Sequence, residues 1–517
     1  MARLYTAELS VYDPSIPGIR TLYFCTELGL TTRPSDSPPN TTFEPRITQP
    51  ANVRVDAFAV GTTSGRSEFG LGDLVLANSD GALDAMIDYG IDGREIILRV
   101  GEHTAPYPTD HTVVMRAVME YLVVTDQEVR VRVRPRDLLT KVEFSASRYD
   151  GNNILPNGLE GVGDIAGKPK PRVYGQVTNI SPVLVNSARL IYQVNDGPVE
   201  AVTVYDGGLA FGAGAHYTSQ ADMEANAPSA GQIRLWPTGG YFRLGSSPTR
   251  AITADVTEGA TAADRTAAAI ARRILEGPGG TTNYDAASFL ALDTANSGVC
   301  GIFMAEEAHV ADALDRILAG VGAFWSDSTH GYFVARLEAP VGTPVATFDE
   351  NNIITIEREA PNDATRGVPP HTVVVRYGLN YTVQTNDLAG GVTAARRGAL
   401  AQEWRAVSVS DPTVLIKHLL SQPLEVESML QVEADALAEA SRLMTLHGVR
   451  RDLFNITVAL DDTVTGVSSL GISGVLELGS LVSIQYARYG LDNGKLMRVI
   501  GYELDARLNQ AALTLWG

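Results

Sequence analysis

Residues 129–134 have the sequence Val-Arg-Val-Arg-Val-Arg, in which apolar and basic side chains alternate without interruption. Because successive side chains of a strand point to opposite faces of a sheet, this period of two predicts a β-strand with one buried and one basic face. We interpret the basic face as a solvated surface or a charged sheet edge rather than as a track for phosphates. Similar alternation on both sides of this stretch, and again towards residue 517, predicts a mainly β fold.

The chain of 517 residues is longer than one hydrophobic core usually accommodates, so we expect three or four domains. Hydrophobic residues make up 44% of it and charged residues 20%, which is ordinary for globular proteins. The formal net charge of −19 repels a nucleic-acid backbone and argues against a dedicated DNA- or RNA-binding protein. It does not exclude a wall along which DNA passes without specific binding.

The two cysteines, Cys25 and Cys300, are too far apart in sequence for a local metal or redox motif. We therefore expect two reduced, structural thiols. The N-terminal residues contain no apolar signal core, and no apolar stretch is long enough to cross a bilayer. The sequence thus predicts synthesis in a cytoplasm and no membrane insertion.

Gly, Pro and Asn/Asp clusters divide the chain into five segments. Residues 1–145 are predicted to form a small β-barrel or sandwich, and the Gly- and Pro-rich residues 146–172 a linker. Residues 173–250 are predicted as a second β unit. Residues 251–345 are predicted as an α+β unit with the order helix, strand, helix, strand, strand, and residues 346–517 as a C-terminal β unit.

Three local signals refine this division. Thr261 and Asp264 have the spacing of a capping box at the start of a helix. Residues 195–197, Asn-Asp-Gly, favour a hairpin turn. One long helix is expected at about residues 426–446 within the C-terminal unit. Its predicted apolar side consists of Leu430, Ala434, Leu437, Ser441 and Met444.

Two motifs invite a chemical interpretation but lack the required context. Gly161, Gly163 and Ala166 match a dinucleotide fingerprint, but Pro169 and Pro171 follow where that motif needs a helix. We therefore interpret the stretch as linker. Cys300 lies in an apolar run without a histidine close in sequence, which favours a buried thiol over a nucleophile.

The remaining candidates also favour structural roles. Glu306, Glu307 and His309 lack a second histidine four residues on, so a capped helix start is preferred to a zinc site. The four tryptophans are spread out, which favours core packing over a sugar-binding platform; they are Trp236, Trp325, Trp404 and Trp516. No catalytic residue, cofactor or metal ligand is predicted, and the chain is not expected to be an enzyme. A hydrolase assembled from distant segments stays open, although no motif favours it.

Several stretches together resemble the hub-type baseplate proteins of long-tailed bacteriophages. One is Phe69-Gly-Leu-Gly-Asp-Leu-Val-Leu-Ala-Asn-Ser-Asp-Gly-Ala-Leu-Asp84, followed by Asp88-Tyr-Gly-Ile-Asp-Gly-Arg94. Another is Gly167-Lys-Pro-Lys-Pro-Arg-Val-Tyr-Gly175 with Pro182-Val-Leu-Val-Asn186. The last is Gly494-Lys-Leu-Met-Arg-Val-Ile-Gly501 with Leu513-Thr-Leu-Trp-Gly517.

This resemblance implies a ring-forming tail hub with tail-tube-like β-barrels at both ends, residues 1–145 and 346–517. Two such barrels per chain would let a homotrimer match a six-fold tube around the DNA ejection channel. The implied partners are the tail tube or distal tail ring, the tape measure, and tip or fibre proteins, at the tail tip of the virion. No lysozyme-like or peptidase domain is recognisable, so wall digestion is not implied.

Two alternatives accompany this hypothesis. A hexameric distal tail protein would use similar barrels in six copies. A receptor- or glycan-binding tail protein would instead present aromatic and acidic residues in a groove. If the ring surrounds DNA, we expect acidic side chains to face the channel, because contacts with phosphates are what make DNA binding tight.

Overall fold

The computed structural model describes residues 4–26, 29–58, 65–136, 138–328, 331–359, 368–459, 476, 478–505 and 507–517. The strands before residue 135 are β1 (Leu4–Asp13), β2 (Gly18–Cys25), β3 (Leu30–Thr31), β4 (Thr42–Phe43), β5 (Ile47–Gln49), β6 (Val53–Asp56), β7 (Gly65–Arg66), β8 (Glu68–Leu71), β9 (Leu74–Ala77), β10 (Glu95–Gly101), β11 (Thr112–Val124) and β12 (Glu128–Arg134). The next strands are β13 (Arg172–Ile180), β14 (Val183–Asn186), β15 (Ile191–Gln193), β16 (Ala201–Asp206), β17 (Leu209–Ala210), β18 (Gly212–Ala213), β19 (Gln232–Trp236), β20 (Tyr241–Leu244), β21 (Ile252–Thr257), β22 (Gly301–Met304), β23 (Ala323–Ser328) and β24 (Gly331–Arg336).

The C-terminal strands are β25 (Ala346–Phe348), β26 (Ile353–Glu359), β27 (Thr372–Tyr377), β28 (Arg405–Ser410), β29 (Leu424–Glu427), β30 (Leu453–Ala459), β31 (Leu481–Ile484), β32 (Lys495–Asp505) and β33 (Gln510–Trp516). The α-helices are α1 (Gln220–Ala225), α2 (Ala267–Glu276), α3 (Ala286–Ala295), α4 (Val310–Ala319), α5 (Ala394–Leu400), α6 (Pro412–Lys417) and α7 (Glu433–His447). The predicted class, a mainly β multidomain chain with an α+β middle, is confirmed. No described helix is long and apolar enough to span a membrane.

The N-terminal sheet is antiparallel, and its seven strands have the order β2-β1-β10-β11-β12-β9-β5. It curves back on itself near Glu44, just before β5. The Cys25 amide donates to the Glu44 carbonyl at 2.7 Å, and the Glu44 amide donates to the Tyr23 carbonyl at 3.0 Å. The strand order therefore returns towards β2 and encloses an apolar core.

The Val-Arg repeat is strand β12, as predicted. Val129, Val131 and Val133 are buried in the N-terminal core, whereas the arginines between them point outwards. The same core contains Trp516 from β33, which is only 8% exposed. The first and last described strands thus contribute to one hydrophobic cluster.

The C-terminal sheet has the order β25-β31-β32-β33-β30-β26, and it also receives a strand from the N-terminal part of the chain. Strand β6 pairs antiparallel with β32, with Val55 opposite Tyr502, and β8 pairs with β6. Strand β7 pairs in parallel with β23 of the middle unit. We call β6, β7 and β8 the bridging strands, because they connect all three units.

The second β unit is built on two five-stranded sheets, β17-β16-β21-β13-β22 and β14-β15-β20-β19-β18, and the first of these is extended by β22 from the middle unit. Residues 195–197 do not connect a hairpin, contrary to prediction. Strand β15 pairs with β14 and β20, whereas β16 pairs with β17 and β21, so the chain crosses from one sheet to the other at this turn.

The predicted linker, residues 146–172, packs against the second β unit. Tyr149, Leu159 and Ile165 are buried in one cluster with Ile191 and Tyr241. The segment therefore contributes apolar surface to a core instead of running free between two domains.

The middle unit is larger than predicted. Helices α2, α3 and α4 and strands β22, β23 and β24 share one core with the three-stranded sheet β28-β27-β29 and with α7. Val375 and Leu443, for example, belong to the same buried cluster as Ile270 and Leu314. Residues 372–447 thus leave the C-terminal sheet between β26 and β30, which corrects the prediction of one continuous unit at 346–517. The other domain boundaries stay predictions.

The prediction of the long helix was wrong in its first residue and in its buried side. Residues 424–427 are β29, which pairs in parallel with β27, and α7 begins only at Glu433. The buried side consists of Ala436, Glu439, Ala440, Leu443 and Leu446. Leu437, predicted to be apolar core, is 45% exposed.

A buried carboxylate explains this error. Glu439 is 2% exposed and lies 2.6 Å from Arg442 and 3.3 Å from Arg336. Since two guanidinium groups compensate it, Glu439 can occupy the core side of α7, where a pattern of apolar residues does not predict a charge.

Helix α3 was not predicted. The capping box of Thr261 and Asp264 is present, but it caps a 3-10 helix that precedes α2.

Shortening Val55 in strand β6 tests the bridging strands. Val55 is 3% exposed, so we expect Val55→Ala to lower the free energy of unfolding by about 1 to 3 kcal/mol. Amides of β32 that face β6 should also exchange faster with deuterium. The control is Val123→Ala, at a site that is 45% exposed in β11, and it should change little. Unchanged exchange in β32 would contradict the pairing.

His111 predicts a pH dependence of stability. Its ring is 3% exposed, packs 5.1 Å from the Tyr107 ring, and burial lowers its pKa. The folded chain therefore resists protonation, whereas unfolded chains take up the proton near pH about 6.5. Stability should be retained above that pH and fall below it. In urea titrations at several pH values His111→Gln should lose part of this slope, and the exposed-site control His216→Gln should keep it.

Candidate functional site

A cavity of about 990 Å³ lies where the N-terminal sheet, the middle unit and the C-terminal sheet meet. Strands β11 and β12 supply Met115 and Arg134 to its wall, β23 supplies Trp325, and β32 supplies Tyr502. The bridging strand β6 adds Val55. The cavity is thus a product of how the three units are joined, and each unit alone would provide only one wall.

Both signs of charge line this cavity. Its ionisable side chains include Arg66, Glu68, Arg116, Arg134, Arg136, Asp285 and Asp327. Arg136 and Asp327 form an ion pair at 2.8 Å, and each side chain is 19% exposed. Burial nevertheless raises the pKa of Asp327, because desolvation outweighs the attraction of Arg136. The pair links the end of β12 to β23 across the cavity wall.

Other carboxylates near the cavity make structural contacts. The Trp325 indole donates to Asp315 Oδ1 at 2.7 Å, and burial raises the pKa of Asp315. Asp285 Oδ1 accepts from the Ala287 amide at 3.0 Å and thereby caps α3. These carboxylates orient an indole and a helix rather than converging on a common point in the cavity.

The described lining of the cavity consists of aliphatic, aromatic, hydroxyl, arginine and carboxylate side chains. It contains neither histidine nor cysteine. Among the residues that the structure describes, no group of three or more His, Cys, Asp or Glu side chains is placed to hold a metal ion. What this arrangement can do is fix the three units in one register through buried ionic and aromatic contacts.

Both cysteines lie in cores, away from the cavity. Burial raises the pKa of Cys25 to about 11 and the pKa of Cys300 further. The Cys300 carbonyl accepts from the Gln176 amide at 3.0 Å. These thiols have the environment of structural residues, as expected from the sequence.

The motifs with possible chemistry have structural roles as well. His309 and Asp312 form a capping box at the start of α4, and Glu307 pairs with Arg148 at 3.0 Å, so the capped helix start is confirmed. Turns follow Gly161, and the next regular element is strand β13 rather than a helix. The dinucleotide fingerprint therefore lacks its helix.

The basic face of β12 is partly neutralised. Arg130 lies 2.6 Å from Glu128, and Arg132 lies 3.0 Å from Asp73. This arrangement favours a charged sheet face over a phosphate track.

The tryptophans are engaged in packing. Trp236 stacks on Tyr241 with 5.7 Å between ring centroids, and Trp404 is half-buried against the core of the middle unit. Trp325 and Trp516 are buried. The prediction of core packing is confirmed for these four residues.

No pattern in the sequence indicated the cavity. Arg136 and Asp327 are 191 residues apart, and neither belongs to a recognisable motif. Pairing information between distant segments would have been needed to find them.

Comparisons with known proteins give only distant similarity. No family model matches the chain, and no curated protein is significantly similar. The tail protein from Neisseria meningitidis MC58 is 10% identical over 99% of this chain and 96% of that chain, with a TM-score of 0.38. The prophage MuSo2 43 kDa tail protein from Shewanella oneidensis is 11% identical over 92% and 94%, with a TM-score of 0.41. A chain of the native gene transfer agent virion is 12% identical over 68% and 84%, with a TM-score of 0.40. We infer neither a shared fold nor a function from scores below 0.5.

A double-mutant cycle on Arg136 and Asp327 tests whether this ion pair stabilises the contact between the N-terminal sheet and the middle unit. Either residue changed to Ala leaves the other charge buried and should cost about 3 kcal/mol in urea unfolding. The double variant should cost less than the sum, with a coupling of about 1 to 3 kcal/mol. For the exposed control pair Arg376 and Glu425 we expect a coupling of about 0 to 1 kcal/mol. Additive changes in the free energy of unfolding at Arg136 and Asp327 would contradict a stabilising ion pair.

Proposed function

We propose that the chain is a non-enzymatic, ring-forming tail hub of a bacteriophage tail tip. In this role three copies surround the DNA ejection channel and connect the tail tube to the tip or fibre proteins. Support comes from the stretches that resemble baseplate hub proteins and from the way the two terminal sheets are joined.

The observation that carries this proposal is the ladder between β6 and β32. Val53 and Val55 of β6 are buried in the N-terminal core, while the backbone of the same strand pairs with the C-terminal sheet. The two sheets cannot move apart without breaking this strand. A hub that places two barrels per chain on a six-fold tube needs such a fixed spacing.

The stretches that carry the resemblance contribute directly to this arrangement. Gly501 ends one of them and lies opposite Asp56 of β6. A Cβ atom at Gly501 would come within 2.5 Å of Asp56 Oδ1, so glycine allows the close approach of the bridging strand. In the first stretch Asp80 pairs with Arg46 at 2.8 Å, which lowers the pKa of Asp80. This ion pair connects the loop after β9 to the residues before β5.

Copy number and position in the particle test this proposal. We expect immunogold labelling with antibodies against this chain to mark the tail tip, and quantitative mass spectrometry of purified particles to give three copies. Six copies would favour the hexameric distal tail protein. Absence from particles, or binding and cleavage of glycans by the purified chain, would contradict the hub.

A further inference from the structure

A short segment between β28 and β29 presents large aliphatic side chains to solvent. Leu415, Ile416, Leu419 and Leu420 are between 40% and 87% exposed. They belong to α6 and the turn that follows it, and we call residues 412–420 the apolar knob. An exposed apolar group of this kind is typical of an interaction site.

The knob has an ordered base. Val414 is 4% exposed, and Ser421 is 5% exposed. The Ser421 hydroxyl donates to the Pro369 carbonyl at 2.7 Å, and the Asp411 side chain caps α6 through the Thr413 amide at 2.9 Å. The exposed side chains are therefore presented from a fixed position, which lowers the entropic cost of binding.

A second surface with exposed apolar side chains lies on α3 and α7. The exposed side of α3 includes Ala287, Leu290 and Ala291, and Leu290 is 68% exposed. The exposed side of α7 includes Leu437 and Ala438. We call these two sides together the helical face. Apart from Glu433 at the first position of α7, the exposed residues of both helices are uncharged. A helix normally carries several charges where it meets solvent, so this composition favours an interaction surface.

The two helices are fixed beside each other. The Val299 amide, just after α3, donates to Asp435 of α7 at 3.1 Å. Arg336 donates to the Ala295 carbonyl at 3.0 Å and pairs with Glu439 at 3.3 Å. The end of α3 and the start of α7 are thus tied into one rigid surface.

We propose that the apolar knob of one chain docks on the helical face of a second copy of the same chain. The knob offers large aliphatic side chains, and the alanines of the helical face allow a close approach. Charge is complementary too, since exposed Lys417 lies in the knob and exposed Glu433 lies at the start of α7. This contact deepens the proposed function and rests on its ring.

The geometry of such a contact is head-to-tail. Knob and helical face are different surfaces, so each chain can use both at once, and a heterologous contact of this kind closes into a ring when the rotation permits. A membrane is a poorer occupant, because Lys417 and His418 are the basic residues of the knob and binding to anionic lipid usually takes a larger cluster.

Two double variants test this contact in the full chain. One is Ile416→Glu with Leu419→Glu in the knob, and the other is Leu290→Glu with Leu437→Glu in the helical face. Light scattering after size exclusion should show a multimer for the unchanged chain and the 55.2 kDa monomer for each variant. The control Ile154→Glu, at a site that is 85% exposed outside both surfaces, should remain multimeric. Unchanged circular dichroism melting curves establish that each variant folds.

Mixing the two variants gives the decisive measurement. Each mixed pair retains one intact knob and one intact helical face, so a 1:1 mixture should form dimers and nothing larger. A monomeric unchanged chain, multimers of either variant alone, or a mixture without dimers would each overturn the proposal. The proposal would also be overturned if the unchanged chain were monomeric and floated with phosphatidylglycerol vesicles, while the knob variant did not float with them.

Failure here is distinguishable from failure of the hub proposal. If particles carry the chain at the tail tip but both variants assemble normally, the ring uses other surfaces. If the variants disrupt the multimer in solution but phage particles lack the chain, the contact between copies is supported and the proposed tail function is contradicted.

Discussion

The antiparallel ladder between β6 and β32 is the constraint on which the remaining architecture depends. It joins residues about 450 positions apart, from Val53 opposite Leu504 to Asp56 opposite Gly501. The side chains of β6 fill the N-terminal core while its backbone extends the C-terminal sheet. The central cavity follows from this ladder, because its walls are held together by the bridging strands and by the Arg136–Asp327 ion pair.

Buried ion pairs connect segments within the middle unit and link this unit to the end of β12. Glu439 with Arg336 and Arg442, and Asp327 with Arg136, are buried far more than surface pairs. Such pairs add little net stability compared with apolar contacts, but losing one partner is costly. They therefore penalise wrong packing of the units more than they stabilise the correct one. Apolar cores supply the bulk of the free energy of folding.

Sequence patterns predicted the features that depend on neighbouring residues, such as strands and helix caps. The Val-Arg repeat became β12, and the residues before α4 became its cap, because both depend on neighbours in sequence. The buried side of α7 was predicted wrongly because part of the compensation of Glu439 comes from Arg336, which lies 103 residues away in the sequence. The excursion of residues 372–447 was missed for a similar reason: alternation indicates that a strand has a buried side, but not which sheet it joins. The candidate site, built entirely from distant segments, was beyond such patterns.

Trp516 in the N-terminal core has a consequence for biosynthesis. A ribosome delivers β1 first, yet the cluster around Leu9 contains this tryptophan, and β6 finds its partner only when β32 has emerged. Contacts so distant in sequence slow folding and leave apolar surface open in the meantime. The N-terminal core of a nascent chain should thus remain incomplete until translation reaches the last strands.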